Sequence, residues 1–209
     1  GIRSATRDYD SAGNLLSVSD TEGVINFTLG ADGQKESVSI DDGSGPDNIN
    51  TIYSYDKYRR MTSVNDPSQG ETLTAYDEAG NIASRTDANG KTTTYEYDIY
   101  GRLTKKSFPE FETTYTYNEY GDLVSQNSTN GTFRNFTYDN LGRLVSEKEG
   151  ASAGTWLQKD YTYENGNTAT ITYASNHGKL ATETYSYTDG HLTSVMLDDG
   201  QVIYELQDE

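Results

Sequence analysis

The stretch TTTYEYDIYGRLTKKS, Thr92 to Ser107, contains the phrase that decides the fold. Aromatic residues Tyr95 and Tyr97 stand two positions apart, Asp98 follows at once, and Gly101 comes three residues later. Alternation with a period of two, enriched in aromatic residues and threonine, is typical of a half-buried β-strand. Aspartate at the first position of a type I turn, with glycine at the fourth, predicts a tight hairpin with a G1 bulge.

Nearly the same phrase recurs along the whole chain. Its anchor residue occupies positions 9, 29, 55, 76, 97, 117, 138, 163 and 187, at intervals of 20 to 26 residues. A tenth copy begins at Leu206 and is incomplete. The turn residues that we predict to be structural are Asp10, Gly13, Asp77, Gly80, Asp98, Gly101, Gly121, Asp139 and Gly142. A period of this length predicts a repeat architecture in which each copy is one supersecondary unit.

Each copy predicts a specific ladder of side chains. If the aspartate pairs with the residue after glycine, the anchor tyrosine faces the next leucine, as in Tyr117 opposite Leu123. Continued without interruption, this register places Tyr115 opposite Ser125 and Phe136 opposite Ser146. Aromatic–aliphatic cross-strand pairs contribute about 0.2–1 kcal/mol each.

The sum of the copies predicts an all-β protein, a meander of antiparallel hairpins over a single repeat domain of residues 1–209. Roughly eighteen strands at about 4.8 Å per strand span about 80 Å of sheet. Such a sheet coils strongly because its twist accumulates, so we expect an open or partly closed barrel or shell. Residues 41–50 and 147–154 are predicted to be exposed loop extensions between copies.

The phrase Tyr-Asp-x-x-Gly-(Asn/Arg)-Leu resembles the YD, or RHS, repeat. It is seen most clearly as YDEAGNI, YDIYGRL and YDNLGRL, and the resemblance covers practically the whole chain. In that family the hairpins form a hollow shell around toxic or effector segments of bacterial polymorphic toxins and insecticidal toxin complexes, and teneurins contain a related barrel. The resemblance therefore implies a non-catalytic scaffold or container wall in a larger protein, secreted or displayed on the bacterial cell surface. It implies flanking domains of the parent chain, or an enclosed effector, as partners.

Composition and charge exclude several classes of partner. The formal net charge is −17 and no basic run exceeds two residues, so binding to nucleic acid or to an anionic membrane is not expected. No apolar run approaches the length of a membrane span, and the absence of cysteine excludes disulfides. The chain opens at Gly1, which suggests a processed or excised fragment.

Residues that could carry catalysis or bind a metal are sparse. The two histidines, His177 and His191, fall in turns, which leaves no metal cluster or catalytic triad, and we predict no enzyme activity, cofactor or metal. The segment Asp66-Pro67-Ser68-Gln69-Gly70 resembles a self-cleavage signature only superficially, and we predict a turn there. The carboxylates of Asp41, Asp42 and Asp47 lack calcium-loop spacing and predict a solvated acidic loop.

The tyrosine rows support one alternative function. Exposed rings at fixed spacing can stack on sugar rings, so a carbohydrate-binding module is the competing hypothesis. Its candidate stacking residues are Tyr95, Tyr97, Tyr115, Tyr117 and Trp156. A third possibility is a homo-oligomer formed by pairing of exposed strand edges.

Overall fold

A computed structural model of the chain describes residues 5–41, 49–151 and 154–205. These residues form 19 strands and no helix. The strands are β1 Thr6–Tyr9, β2 Leu15–Asp20, β3 Gly23–Leu29, β4 Lys35–Asp41, β5 Ile49–Tyr55, β6 Met61–Asp66, β7 Gly70–Tyr76, β8 Ile82–Thr86, β9 Thr92–Tyr97, β10 Leu103–Ser107, β11 Glu112–Tyr117, β12 Leu123–Ser128, β13 Thr132–Tyr138, β14 Leu144–Ala151, β15 Thr155–Glu164, β16 Asn167–Ser175, β17 Gly178–Thr188, β18 His191–Leu197 and β19 Val202–Glu205. The predicted all-β class is confirmed.

The chain divides into two compact units, Gly1–Tyr95 and Glu96–Glu209. Within each unit, consecutive strands pair antiparallel. Each repeat contributes one hairpin, and the turn between two repeats leads into the first strand of the next hairpin. All the described contacts between strands join neighbours in sequence. The predicted meander of antiparallel hairpins is thus confirmed, while the single repeat domain over residues 1–209 stays a prediction.

The predicted pairing of anchor with aliphatic residue is confirmed, but the register beyond it is not. Tyr117 lies opposite Leu123, yet Tyr115 lies opposite Gln126 and not Ser125. In the same way Phe136 lies opposite Glu147 and not Ser146. The cause is a β-bulge after the anchor pair, where one residue of the returning strand has no partner. The unpaired residues are Leu16, Glu36, Thr62, Ala83, Val124, Val145, Ala169 and Thr193.

The hairpin tips take two forms. In most repeats the glycine N–H donates to the carbonyl of the aspartate position, and the glycine has positive φ, as at Gly101 (φ 78°). Arg59, which replaces glycine, adopts the same region at φ 66°. The copies anchored at 163 and 187 are one residue shorter and form two-residue turns with two successive positive φ angles, at Asn165-Gly166 and Asp189-Gly190. Such turns match the twist of a hairpin without needing a bulge at the tip.

The side chains of the described residues pack mainly against those of neighbouring strands in the same sheet. Among the described residues only Val195 (7% exposed) and Thr113 (3%) are buried, and the strand tyrosines are mostly half-buried. Because strands contact only their sequence neighbours, cross-strand and inter-repeat contacts replace a conventional core.

The two predicted loop extensions can each be compared with the structure in part. The prediction for 147–154 is wrong over residues 147–151, because β14 continues to Ala151 and pairs with β15. The prediction for 41–50 is wrong at both ends, because Asp41 belongs to β4 and β5 begins at Ile49, while residues 42–48 are outside the described ranges. Asp42, Asp47 and the incomplete copy at Leu206 lie outside the described residues.

Candidate functional site: the hairpin tips and the tyrosine face

The turn aspartates hold the tips closed with their carboxylates, as the sequence predicts. One oxygen of Asp98 accepts the backbone N–H of Tyr100 (2.9 Å) and of Arg102 (3.0 Å). Asp10 and Asp139 bind the equivalent amides of their own tips at 2.8–3.0 Å. Partial burial opposes ionisation of Asp98, but the hydrogen bonds from Arg102 and Tyr100 outweigh it and lower the pKa of that carboxyl.

The second carboxylate oxygen binds the residue that follows glycine. In three tips this residue is arginine, and its guanidinium holds the aspartate at 2.7–2.8 Å through two nitrogens; the pairs are Arg60–Asp56, Arg102–Asp98 and Arg143–Asp139. Asn14 and Asn81 replace arginine with a single amide bond to Asp10 and Asp77. In one tip the positions of amide and carboxylate are exchanged: Asn118 occupies the aspartate position and donates to the carboxylate of Asp122 at 3.0 Å.

The tip arginines also contact the next repeat. The guanidinium carbon of Arg102 lies 4.7 Å from the ring centroid of Tyr117, the following anchor. Arg60 and Arg143 lie 4.3 Å from the rings of Tyr76 and Tyr163. Each cation–π contact at an exposed site contributes about 0.5–1 kcal/mol. The sequence indicated the arginine position but gave no sign of this second partner.

The anchor hydroxyls form a second link between repeats. Tyr138 donates its hydroxyl to the carbonyl of Leu123, the residue opposite the preceding anchor, at 3.0 Å. The same bond recurs at 2.5–2.9 Å in Tyr55–Lys35, Tyr76–Met61, Tyr117–Leu103 and Tyr163–Leu144. In the registered hairpins the acceptor is the first residue of the β-bulge, where the ladder is interrupted. The tyrosine hydroxyl therefore binds the carbonyl of the residue that immediately precedes the unpaired residue of the bulge.

In the second unit, the anchors Tyr117, Tyr138 and Tyr163 define one surface, which we call the tyrosine face. It also carries a polar network. Glu147 accepts the hydroxyl of Tyr161 (2.9 Å) and the ammonium of Lys159 (2.9 Å). The hydrogen bond from Lys159 is the main cause that lowers the pKa of Glu147. Burial, followed by the hydrogen bond to Glu147, raises the pKa of Tyr161.

The predicted stacking residues do not form one surface. Tyr115 and Tyr117 lie on the tyrosine face, and the exposed Thr116 between them points to the opposite face. In β15, Trp156 lies an odd number of residues from Tyr161 and Tyr163. Since successive side chains of a strand point to opposite faces, Trp156 belongs to the other face.

Trp156 has structural partners there. Trp156 stands opposite Gly150, and a Cβ atom added to Gly150 would lie only 2.8 Å from the Cβ of Trp156. The ammonium of Lys148 lies 3.9 Å from the centroid of the Trp156 ring. Tyr95 and Tyr97 alternate in β9, both half-buried, and both have interaction partners. The sugar-stacking role of the five residues stays a prediction.

The remaining candidates occupy turns or strand ends. Asp66 accepts the hydroxyl and amide of Ser68 and the amide of Gln69 at 2.6–3.0 Å, so the predicted turn is confirmed. The hydrogen bond from the Ser68 hydroxyl is the main cause that lowers the pKa of Asp66 to about 2. Within the described ranges no three His, Cys, Asp or Glu side chains are grouped as metal ligands would be. No helix of a length and apolarity suited to crossing a membrane occurs in the part of the chain that the structure describes.

Comparison with known proteins rests on one family model and on solved structures. A model of the RHS repeat matches residues 76–110 and 117–153. No curated protein matches the chain in sequence. The crystal structure of TcdB2-TccC3 aligns with a TM-score of 0.55 at 17% identity, over 92% of this chain and 14% of that one. TcdB2-TccC3-TEV gives 0.54 at 16% identity, over 94% and 14%, and TcdB2-TccC3-Cdc42 gives 0.50 at 16%, over 92% and 15%.

At these identities the structural likeness shows the fold alone, and this chain spans about one seventh of the length of those chains. The two stretches that match the family model contain the tips Asp77–Asn81, Asp98–Arg102, Asn118–Asp122 and Asp139–Arg143. The resemblance carried by the Tyr-Asp-x-x-Gly phrase is therefore confirmed over residues 76–110 and 117–153, the two stretches that match the RHS repeat.

Proposed function

We propose that this chain is a non-catalytic structural segment of a larger secreted or surface-displayed bacterial protein, where it serves as a scaffold or as a wall around an effector segment. The observation that carries the proposal is the use of the recurring polar side chains. The aspartates close the tips, the arginines join tip to next repeat, and the anchor hydroxyls bind bulge carbonyls. The groups that sequence motifs offer for chemistry are thereby engaged in holding the repeats together.

The solved neighbours support a role within a longer chain. The fold recurs in TcdB2-TccC3, a complex also solved without a hypervariable C-terminal region. A repeat segment whose strands contact only their sequence neighbours can extend by adding further hairpins at either end, which suits a wall. Flanking domains of the parent chain or an enclosed effector are the partners that this role requires.

Limited proteolysis of the full-length protein tests the proposal. Opening the tips with Asp98→Ala and Asp139→Ala should expose segments outside these repeats to cleavage, because a wall protects what it surrounds. The matched control is Tyr187→Phe, a tyrosine whose hydroxyl has no hydrogen-bond partner among the described residues, and it should leave the cleavage pattern unchanged. Identical cleavage of the outside segments in the tip variants and the control would contradict a containing wall.

A further inference from the structure

The residue after the glycine position differs among the tips, and the surroundings of the next anchor ring differ with it in six of them. Arginine at this position places its guanidinium over the following tyrosine at three tips. Three other tips have a different residue there, and each has a cleft beside the next anchor. These are Gln34 with Tyr55 (about 540 Å³), Asp122 with Tyr138 (about 340 Å³) and Asn167 with Tyr187 (about 410 Å³).

The cleft between the tips Asn118–Asp122 and Asp139–Arg143 has the composition of a cation site. Three aromatic residues, Tyr120, Phe136 and Tyr138, line it together with the carboxylates of Asp122 and Asp139. Tyr120 is 83% exposed at the turn, so its ring is available to a ligand from solvent. Aromatic rings grouped with a carboxylate are the arrangement that recognises organic cations.

The charges and hydrogen bonds of this cleft are unevenly satisfied. Asp139 is held by Arg143 at 2.7 Å. Asp122 accepts only the neutral amide of Asn118 at 3.0 Å, and no Lys or Arg of the described chain forms an ion pair with it. The Tyr138 hydroxyl is already donated to Leu123, so its ring face is the part that a ligand can use.

We propose that the cleft formed by Tyr120, Asp122, Phe136 and Tyr138 binds the guanidinium of an arginine side chain from a partner polypeptide. The model for the bound group is in the same chain. At the preceding arginine tip, Arg102 lies 5.2 Å from the ring of Tyr100, 4.7 Å from that of Tyr117 and 2.7 Å from the carboxylate of Asp98. Tyr120, Tyr138 and Asp122 supply the same kinds of contact where the chain has no arginine of its own.

Guanidinium fits this cleft better than ammonium. Its planar face stacks on aromatic rings while its edge donates two hydrogen bonds to a carboxylate, and ammonium cannot do both. The net charge of −17 also favours the approach of a cationic partner. Each turn supplies both a ring and a polar group, so the partner needs only one projecting side chain.

Titration of the 209-residue chain with the peptide acetyl-Gly-Arg-Gly-amide tests the proposal. The readout is the NMR shift of the Tyr138 and Tyr120 rings in protein labelled at tyrosine. We expect a saturable shift of both at about 1–10 mM peptide, the range for a single exposed contact. The same peptide with citrulline, which has the shape of arginine without its charge, should leave both rings unshifted.

Two variants complete the test. Asn118→Asp with Asp122→Arg rebuilds the arginine tip found at residues 98–102, so it should fold normally by circular dichroism and show no saturable shift at Tyr138. Asp122→Asn keeps the amide partner but removes the charge, and should weaken binding about threefold to fivefold. Equal shifts with the citrulline peptide, or full binding by the double variant, would overturn the proposal.

Discussion

The bond between an anchor tyrosine and the bulge of the preceding repeat gives the sharpest prediction. In Tyr138→Phe the ring keeps its place, while the Leu123 carbonyl, beside the β-bulge, loses a 3.0 Å hydrogen bond. A hydrogen bond of this kind contributes about 0.5–1.5 kcal/mol. We therefore expect the free energy of unfolding to fall by about 1 kcal/mol.

Urea unfolding followed by circular dichroism measures this change. With an m value of about 2–3 kcal/mol/M, a loss of 1 kcal/mol lowers the midpoint by about 0.3–0.5 M. The same substitution at Tyr55, Tyr76, Tyr117 and Tyr163 should give similar losses, because each of these hydroxyls donates to the corresponding carbonyl.

Tyr187→Phe is the matched control, since the Tyr187 hydroxyl forms no hydrogen bond within residues 5–41, 49–151 and 154–205, while its ring occupies the anchor position. Its midpoint should change by less than about 0.2 M, consistent with a surface change of under 0.5 kcal/mol. If the five bonded positions and Tyr187 gave the same shift, the hydroxyl would not link the repeats and the account of the bulge would fail.

The other predictions concern tips, charge and edges. Asp98→Ala removes two backbone hydrogen bonds and the Arg102 pair, so urea unfolding should show a lower midpoint, with a smaller decrease for Asp98→Asn. The pKa of Asp66 is about 2, below its unfolded value, so its contribution is present above about pH 4 and is lost as pH falls toward 2. Acid unfolding of Asp66→Asn should therefore depend less on pH in that range. Arg59→Gly relieves the strain of a positive φ but loses the contacts with Asp32, and these two effects oppose each other. The free energy of unfolding obtained from thermal melting should therefore change by less than about 1 kcal/mol. Homo-oligomer formation by edge pairing stays a prediction; if it occurs through β19, where Ile203 is 54% exposed, Ile203→Lys should reduce the association measured by light scattering.

The sequence predicts the part of the fold that depends on local geometry. The aspartate caps, the glycine with positive φ and the Tyr117–Leu123 pair all follow from residues within one turn of each other. The β-bulge next to the anchor pair, unlike the G1 bulge at the tip, does not follow from the sequence. Its extra residue is Val124 in one copy and Thr62 in another, so it carries no compositional signal. A prediction that continues the alternating pattern without this bulge therefore shifts every cross-strand pair beyond the anchor by one residue.

The same limit explains the candidate site. Trp156 and Tyr161 are both aromatic and both in β15, and only strict counting along the strand separates their faces. The second partner of a tip arginine lies 15 to 20 residues away, 15 for Arg102 and Tyr117, so no local motif reveals it. Bulge, face and inter-repeat partner are tertiary properties, and they decide which side chains remain available to a ligand.

The variable spacing of the repeats shows that the length of the hairpins is constrained at the tips, beside the anchors, and not at the joins between repeats. The tyrosine–carbonyl bonds span 14 to 20 residues in sequence, yet they join the same two positions each time. In the longer copies the extra residues lengthen strands such as β15 (10 residues) and β17 (11 residues) away from the anchors. The anchors are paired immediately beside the tips, so length added at the joins does not disturb the links. Insertions should thus be tolerated at the joins, whereas one residue inserted between an anchor and its bulge would break two repeats at once.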